Sequence, residues 1–439
     1  MPRFRLYPTH AQEAVLFGHC AQARHTWNLA WEVNNTYRRG GARTACPVRY
    51  AGMAAMLTEV RRTPANALTP EEAGYFAWVA SGNVEIQQQA LRDFDQALVN
   101  FFNGSHGYPN RRKKHHSEGF RVIGTSRTPA FDKEGRPVLN TKGEQVMSRA
   151  VTVQKSNKKW AQVKVPGAGW VRFRNTRRAL PEAKSFRVTY RTGRWYVAFA
   201  VKPAPISAPG NSTTVGVDRG VAITAALSDG RVLNCPQPSA RERARLLKHQ
   251  RRAACAPKGS PKRRDEYARI ARLREKEANR RRDWVEKTST MLARSFDTIR
   301  FEDLKIRNMT RSAKGTMEEP GRRVAQKAGL NRAILAQGWG LLRTRTGHKA
   351  PGRVEDVPAA YTSLRCSDCG WVDKNSRKSQ AEFICSSCGF TCNADLNASN
   401  NVAAGQGGTP APAPRGRAGG TTGHKSVSVR EPQQLLLFE

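Results

Sequence analysis

Thr214-Val215-Gly216-Val217-Asp218-Arg219-Gly220 reads as a short apolar strand that ends on a carboxylate and turns at once. Two more strands follow it, Ala222 to Leu227 after the turn at Gly220 and then Arg231-Val232-Leu233, and the three predict a meander. Further along, Thr298-Ile299-Arg300-Phe301-Glu302 is another strand that ends on an acid, and Arg353 to Ala360 predicts one more. Asp395 opens the helix Leu396-Asn397-Ala398-Ser399-Asn400-Asn401-Val402. Any one of Asp218, Glu302 and Asp395 alone has an ordinary reading as a helix cap or salt-bridge partner. Together they sit where strand ends and helix starts converge, and they make a candidate site.

Between these strands the text is helical. Ala240 to Phe296 predicts a hairpin of helices broken at Pro257-Lys258-Gly259-Ser260-Pro261, and Arg322 to Arg345 predicts one helix with Trp339 and Leu342 on its apolar side. The last strand leads into Cys366-x2-Cys369 and Cys385-x2-Cys388, each pair followed by glycine. Four thiolates at that spacing can close a tetrahedron around Zn²⁺, and because every ligand is protein-derived the ion has a structural role. Cys392 lies too near the second pair to be a fifth ligand, and Cys20, Cys46, Cys235 and Cys255 read as core or surface thiols.

Toward the N-terminus, Thr9-His10-Ala11-Gln12 has the form of a capping box that starts a helix with Leu16, Cys20, Trp27 and Ala30 facing a core, ended by Gly40-Gly41. A second helix runs from Val84 to Phe102, with Ile86, Ala90, Phe94, Ala97 and Phe101 as its packing stripe. Residues 9–105 therefore read as a small helical domain. Beyond the basic turn Pro109 to His116, alternating segments at 151–153, 162–165, 170–173, 185–190 and 195–201 predict a β domain, read as a barrel, and a Pro-rich linker covers 202–212. Residues 405–439 are rich in Gly, Pro, Ala and Thr, have little to bury and are expected to be disordered.

Lys and Arg number 75 against 35 Asp and Glu, a formal net charge of +40. Such an excess asks for a polyanion. An anionic membrane is one, but the chain has no apolar run of about 18 residues. Nucleic acid is the better partner. Candidate backbone contacts are Arg111, Arg112, Lys113 and Lys114 in the basic turn, with Arg251, Arg252, Arg263, Arg264, Arg280, Arg281 and Arg282 on the helical hairpin. The bland alternative for both runs is a solvated face. Met1-Pro2-Arg3-Phe4-Arg5-Leu6 lacks the apolar core of a signal peptide, so the expected compartment is the reducing cytoplasm, where the nine cysteines are thiols or metal ligands.

Three hard carboxylates from separate elements suit phosphodiester hydrolysis with two Mg²⁺ ions about 4 Å apart, one activating water and the other stabilising the leaving oxygen. The stretches that carry them resemble the three RuvC motifs of TnpB, the insertion-sequence nuclease, and of the miniature type V CRISPR effectors. The matching text is Val215 to Gly220, Phe301 to Met309, and Tyr361-Thr362-Ser363 through both cysteine pairs to Asn401, with Gly329 to Ile334 and Gly338-Trp339-Gly340 in support. Weaker similarity reaches Phe4 to Thr9 and Phe94 to Phe102.

The resemblance implies an α/β multidomain protein. It places a split RNase H-like (RuvC) nuclease domain at 213–361 and 392–404, a zinc ribbon at 362–391, a β-barrel wedge domain at 1–8 and 106–205, and a helical recognition domain at 9–105. It also implies a guide RNA, target double-stranded DNA with a short adjacent duplex motif, and Mg²⁺-dependent cleavage by Asp218, Glu302 and Asp395, with Asp218 bridging the ions. The presence of both helical and barrel segments favours a monomer, with a dimer as the alternative. Two rivals remain: an RNA-guided DNA binder that represses without cutting, and a DNA-joining enzyme of a transposon. The intact acidic triad argues against the first, and the cysteine cluster directly before Asp395 against the second.

Overall fold

The computed structural model describes residues 3–39, 47–64, 69–116, 118–124, 126–129, 136–141, 143–176, 180, 182–201 and 204–408. Cys46, Gly40-Gly41, residues 202–203 of the expected linker and residues 409–439 of the expected tail lie outside them. The chain forms two compact units, Met1–Pro205 with Gln237–Arg280, and Ile206–Pro236 with Arg281–Glu439.

In the first unit, β1 (Arg3–Tyr7) is followed by α1 (His10–Arg39), α2 (Tyr50–Arg62), α3 (Pro70–Ser81) and α4 (Val84–Phe102). Then come β2 (Gly119–Ile123), β3 (Ser126–Pro129), β4 (Met147–Ala150), β5 (Val153–Lys155), β6 (Trp160–Val165), β7 (Gly169–Arg174), β8 (Ser185–Arg191) and β9 (Arg194–Phe199). Seven strands make one sheet in the order β2-β8-β9-β1-β7-β6-β5, so the first strand lies in its middle. Phe4 and Leu6 alternate inward from β1, pair with Val197 and Phe173, and join Val163, Phe186 and Phe199 in the core. Leu16 and Cys20 of α1 with Ile86 and Ala90 of α4 cover that face, and full burial of each large apolar side chain contributes about 2 kcal/mol.

Along the described residues the sheet has an open strand order. One corner is drawn together where Val151 N–H donates to Ala183 O at 2.8 Å and a Cβ on Gly124 would stand 1.9 Å from Ala150 O. The Thr9–Gln12 capping box is present in both directions, at 3.0 and 3.3 Å. Among the described residues the helical segment holds four helices, where the sequence reading has two. The α4 stripe also differs: Leu91 and Leu98 are buried with Ile86, Ala90 and Phe94, while Ala97 and Phe101 stay partly exposed. A second core of Trp27, Met53, Leu57, Val79 and Leu98 from α1 to α4 explains this, because α4 must serve the sheet on one side and helices on another.

The helices α5 (Ala240–Cys255) and α6 (Pro261–Ser295) form the expected hairpin. Residues 237–280, which the sequence reading places with the nuclease segment, cluster with the first unit instead. Glu275 accepts from the Thr192 hydroxyl and from Tyr196 Oη at 3.1 Å, and Arg3 donates to Asn279 at 3.1 Å.

In the second unit, β10 (Thr214–Asp218), β11 (Ala225–Leu227) and β12 (Val232–Leu233) form the meander, then β13 (Thr298–Glu302), α7 (Ile306–Met309), α8 (Val324–Gln337), α9 (Trp339–Lys349) and β14 (Val354–Val357) follow. The hairpin β15 (Glu382–Ile384) and β16 (Thr391–Asn393) precedes α10 (Ala394–Ala403). The sheet order is β12-β11-β10-β13-β14, with β11 antiparallel to β10, β13 parallel to β10 and β14 parallel to β13. Val215, Val217, Ile299 and Phe301 pack with Val285 and Leu292 of α6 and Leu342 of α9.

The single helix expected over 322–345 is two helices, because Gly338 adopts φ 75° between α8 and α9, a left-handed conformation that suits glycine. The first residues of the expected tail are also held: Gln406 N–H donates to Asn401 O at 2.9 Å and Gly408 N–H to Ala360 O at 3.0 Å. Backbone pairing orders these residues without apolar side chains. No described helix is long and apolar enough to cross a membrane.

Candidate active site

The parallel pairing of Val217 with Phe301 ends both strands level, so Asp218 and Glu302 are neighbours at the C-terminal edge of the sheet. The third acid arrives on α10, whose first turn carries Asp395 and whose N-cap Asn393 accepts from the Asp395 and Leu396 amides. Gly216 lets α10 lie directly on β10, since a Cβ there would stand 2.0 Å from Ser399 O and 2.4 Å from Ala403 N. A strand residue with no side chain thus decides where the helix start falls.

The three acids form one electrostatic unit. Asp218 is raised well above the usual carboxylate range by burial, by the charges of Glu302 and Asp395, and by a hydrogen bond with Glu302, against a smaller pull from Arg377. Burial also raises Glu302, against hydrogen bonds from Thr362 and Asp218 and the Arg219 charge. Asp395 is raised by burial, and Arg377 opposes this from 3.4 Å. Three carboxylates set against the guanidiniums of Arg219 and Arg377 leave an excess of negative charge that suits a divalent cation, a hard acceptor of oxygen ligands.

Several partners of these acids were not singled out from the sequence. Arg219 is buried, stacks on Phe301 at 5.4 Å and donates to the Glu302 carbonyl. Thr362 Oγ1 donates to Glu302 Oε1 at 2.8 Å. Asn397 and Asn401 both donate to Arg365 O at 2.7 Å, tying α10 to the segment before Cys366. Arg219 and Thr362 lie within the motifs that resemble the family, but Arg377, between the cysteine pairs, carries no local signal.

The four expected cysteines do come together. Their Sγ atoms all lie within 4.8 Å of one another, with Cys366 to Cys388 at 3.8 Å and Cys369 to Cys385 at 3.6 Å. A tetrahedron with metal–sulfur bonds of about 2.3 Å needs sulfurs roughly 3.8 Å apart. Burial acts to raise the Cys385 thiol, but the amides of Cys388 and Ser387 with the neighbouring thiols outweigh it and bring it to about 7. Cys392 is in β16 opposite Phe383 and is not among the four.

The basic candidates divide by environment. Lys113, Lys114, Arg251, Arg252 and Arg264 are exposed. Arg111 pairs with Glu32 at 2.7 Å, whereas Arg112 stacks on Trp27 at 3.7 Å and burial brings its guanidinium down to about 10. Arg263 donates to Ala256 O, Arg280 pairs with Glu242 at 2.7 Å, and Arg281 donates to Ala336 O at 3.4 Å, while Arg282 is exposed and engaged.

Two family models match the chain: OrfB_IS605, described as "Probable transposase", over residues 198–313, and the Cas12f1-like TNB domain over residues 339–402. The chain is 31% identical over 407 residues to "Putative RNA-guided DNA endonuclease InsQ" of Escherichia coli (strain K12), spanning 92% of this chain and 91% of that protein. It is 29% identical over 411 residues to a "Putative RNA-guided DNA endonuclease" of Streptomyces pristinaespiralis, spanning 92% and 88%. A solved Cas12f1–sgRNA–target DNA complex aligns over 92% of this chain and 98% of that one, with TM-score 0.45 and 12% identity. With identity to InsQ carried across nine-tenths of both proteins, and family models matching the stretches that hold Asp218, Glu302, the cysteines and Asp395, the chain belongs to the TnpB and miniature type V effector family.

Proposed function

We propose that the chain is an RNA-guided DNA endonuclease that cleaves target DNA at a RuvC-like site made by Asp218, Glu302 and Asp395. The observation that carries this reading is that Asp218 and Glu302 end adjacent parallel strands while Asp395, in the first turn of α10, lies near enough for its charge to act on Asp218, in a chain that shares 31% identity over 407 residues with InsQ. The strand order β12-β11-β10-β13-β14, a meander joined to two parallel strands, supports an RNase H-like nuclease domain. The seven-stranded sheet and the four helices inserted after its first strand support the wedge and recognition roles.

Asp218, Glu302 and Asp395 would hold Mg²⁺. When bound, two such ions supply Lewis acidity toward water and the leaving oxygen. The protein's own part is to hold the three carboxylates together: Gly216 seats α10, Thr362 and Arg219 hold Glu302, and Arg377 holds Asp395. Cys366, Cys369, Cys385 and Cys388 would hold a structural Zn²⁺ that fixes the segment leading into α10. Guide RNA and target DNA with an adjacent duplex motif are the partners, gripped through backbone phosphates by exposed residues such as Lys113, Lys114, Arg251, Arg252 and Arg264.

The test is to express the gene with its native flanking DNA, sequence the RNA that copurifies, and assay plasmid cleavage with and without Mg²⁺. A discrete RNA, Mg²⁺-dependent cutting at the matching sequence and its loss in Asp218→Ala with RNA and DNA binding retained are expected. Binding lost in parallel with cutting overturns the site assignment, and absence of any discrete RNA overturns the guide.

A further inference from the structure

We propose that Thr362 is a positioning residue, whose hydroxyl holds the Glu302 carboxylate in the orientation that receives a divalent cation. The proposal deepens the metal-dependent reading above and rests on it. Thr362 is 1% exposed and follows directly on Tyr361, a non-glycine residue at φ 66°. Such a left-handed backbone costs on the order of 1 kcal/mol and persists only where the surroundings impose it. The amides of Leu364 and Arg365 both donate to Tyr361 O, at 3.0 and 2.9 Å, which pins the turn on one side. Asn401 of α10 donates to Thr362 O at 2.9 Å, which pins it on the other.

The held turn aims the Thr362 hydroxyl at Glu302 Oε1, at 2.8 Å, across sixty residues of sequence. Thr362 Oγ1 also lies 3.1 Å from Ala359 O, but a hydroxyl has one proton to give. The carboxylate is the stronger acceptor because a charge-assisted hydrogen bond exceeds a neutral one. Oε1 is thereby fixed, and with Arg219 bound to the Glu302 main-chain carbonyl the residue is held at both ends. A ligand oxygen pre-set in this way does not have to be ordered when the ion arrives, and loss of such outer partners lowers metal affinity about 10–100-fold. The same turn opens the cysteine segment, so it joins β14, the cysteine cluster and α10 at one point.

The experiment measures Mn²⁺ binding to the full-length protein by electron paramagnetic resonance in wild type, Asp218→Ala, Thr362→Val and Thr362→Ser, with melting temperature and zinc content as controls. Thr362→Val keeps the shape and loses the hydroxyl, and Thr362→Ser does the reverse. The expected result is that Thr362→Val weakens Asp218-dependent Mn²⁺ binding tenfold or more at wild-type zinc content, while Thr362→Ser stays within about threefold. Wild-type affinity in Thr362→Val overturns the proposal, as does a Thr362→Ser protein that binds Mn²⁺ as weakly as Asp218→Ala, for then the methyl group and not the hydroxyl matters. If wild type itself shows no Asp218-dependent binding, the metal-site reading fails, and the role of Thr362 with it. Should Thr362→Val not fold, Thr362→Ala takes its place: Mn²⁺ binding weakened in Thr362→Ala and kept in Thr362→Ser is the expected result, and equal binding in the two overturns the proposal.

Discussion

Gly216 and Ser399 touch backbone to backbone: a Cβ on the glycine would stand 2.0 Å from the serine carbonyl oxygen. Helix α10 can lie that close to β10 only because position 216 has no side chain, and the contact fixes how far Asp395 reaches toward Asp218. Gly216→Ala should push the helix away, cost about 1–3 kcal/mol in stability, and reduce DNA cleavage far more than RNA binding. Denaturant unfolding and a plasmid-cleavage time course check both; unchanged cleavage would falsify the contact's role.

The acids also make a pH prediction. Burial raises Asp218, Glu302 and Asp395 above their unfolded values, and at Asp218 the neighbouring carboxylates add to it; the unfolded values lie near pH 4. The native state therefore keeps its protons to higher pH than the unfolded chain does. Stability linked to these groups is fully present below about pH 4 and is lost as pH rises through the raised native values. In Mg²⁺-free buffer, wild-type melting temperature should fall from mild acid to neutral pH. Asp218→Asn should melt higher at neutral pH with a flatter profile; an identical slope would count against the coupling.

Arg112 and Lys113 are adjacent in sequence and differ in environment. With its guanidinium 3.7 Å from the Trp27 ring centre, Arg112 is part of the packing, and Arg112→Ala should cost on the order of 1 kcal/mol. Lys113→Ala and Lys114→Ala should leave stability unchanged and each reduce the salt dependence of nucleic-acid binding by roughly one unit of slope. Fluorescence-anisotropy titrations across a salt series, beside thermal melts, distinguish the two behaviours.

The cysteine segment should depend on its metal. Its buried cluster consists of Cys366, Phe383, Cys385 and Ala394, so two of its four members are themselves candidate zinc ligands. So small a core does not hold a fold alone. Cys385→Ser should lose bound zinc, expose residues 362–393 to protease and abolish cleavage, while residues 3–201 keep their protection. Metal analysis and limited proteolysis with mass spectrometry report the outcome.

Local patterns carried much of this structure. Thr9 and Gln12 announce a helix start because a capping box is completed within four residues, and the hairpin break at Pro257–Pro261 is equally local. The second-unit strands could be read because apolar runs end at turn residues. The split of 322–345 at Gly338 escaped because a glycine in a helical pattern is tolerated as often as it breaks one, and its φ is set by the packing of α8 and α9. The packing stripe of α4 lacked Leu91 and Leu98 because period alone does not reveal two cores around one helix.

By itself the sequence determined which residue types were available for chemistry: three carboxylates at the ends of predicted elements, four cysteines in paired spacing, and an excess of cations requiring an anionic partner. These are properties of composition and of neighbours along the chain. The tertiary structure alone decided that Asp218 and Glu302 share a hydrogen bond, that Arg377 pairs with Asp395, that Thr362 reaches Glu302, and that Arg112 serves packing while Lys113 stays exposed. Each of these joins residues distant in sequence or sorts neighbours by burial. Such relations depend on strand register and helix placement, which are set by the packing of the whole unit.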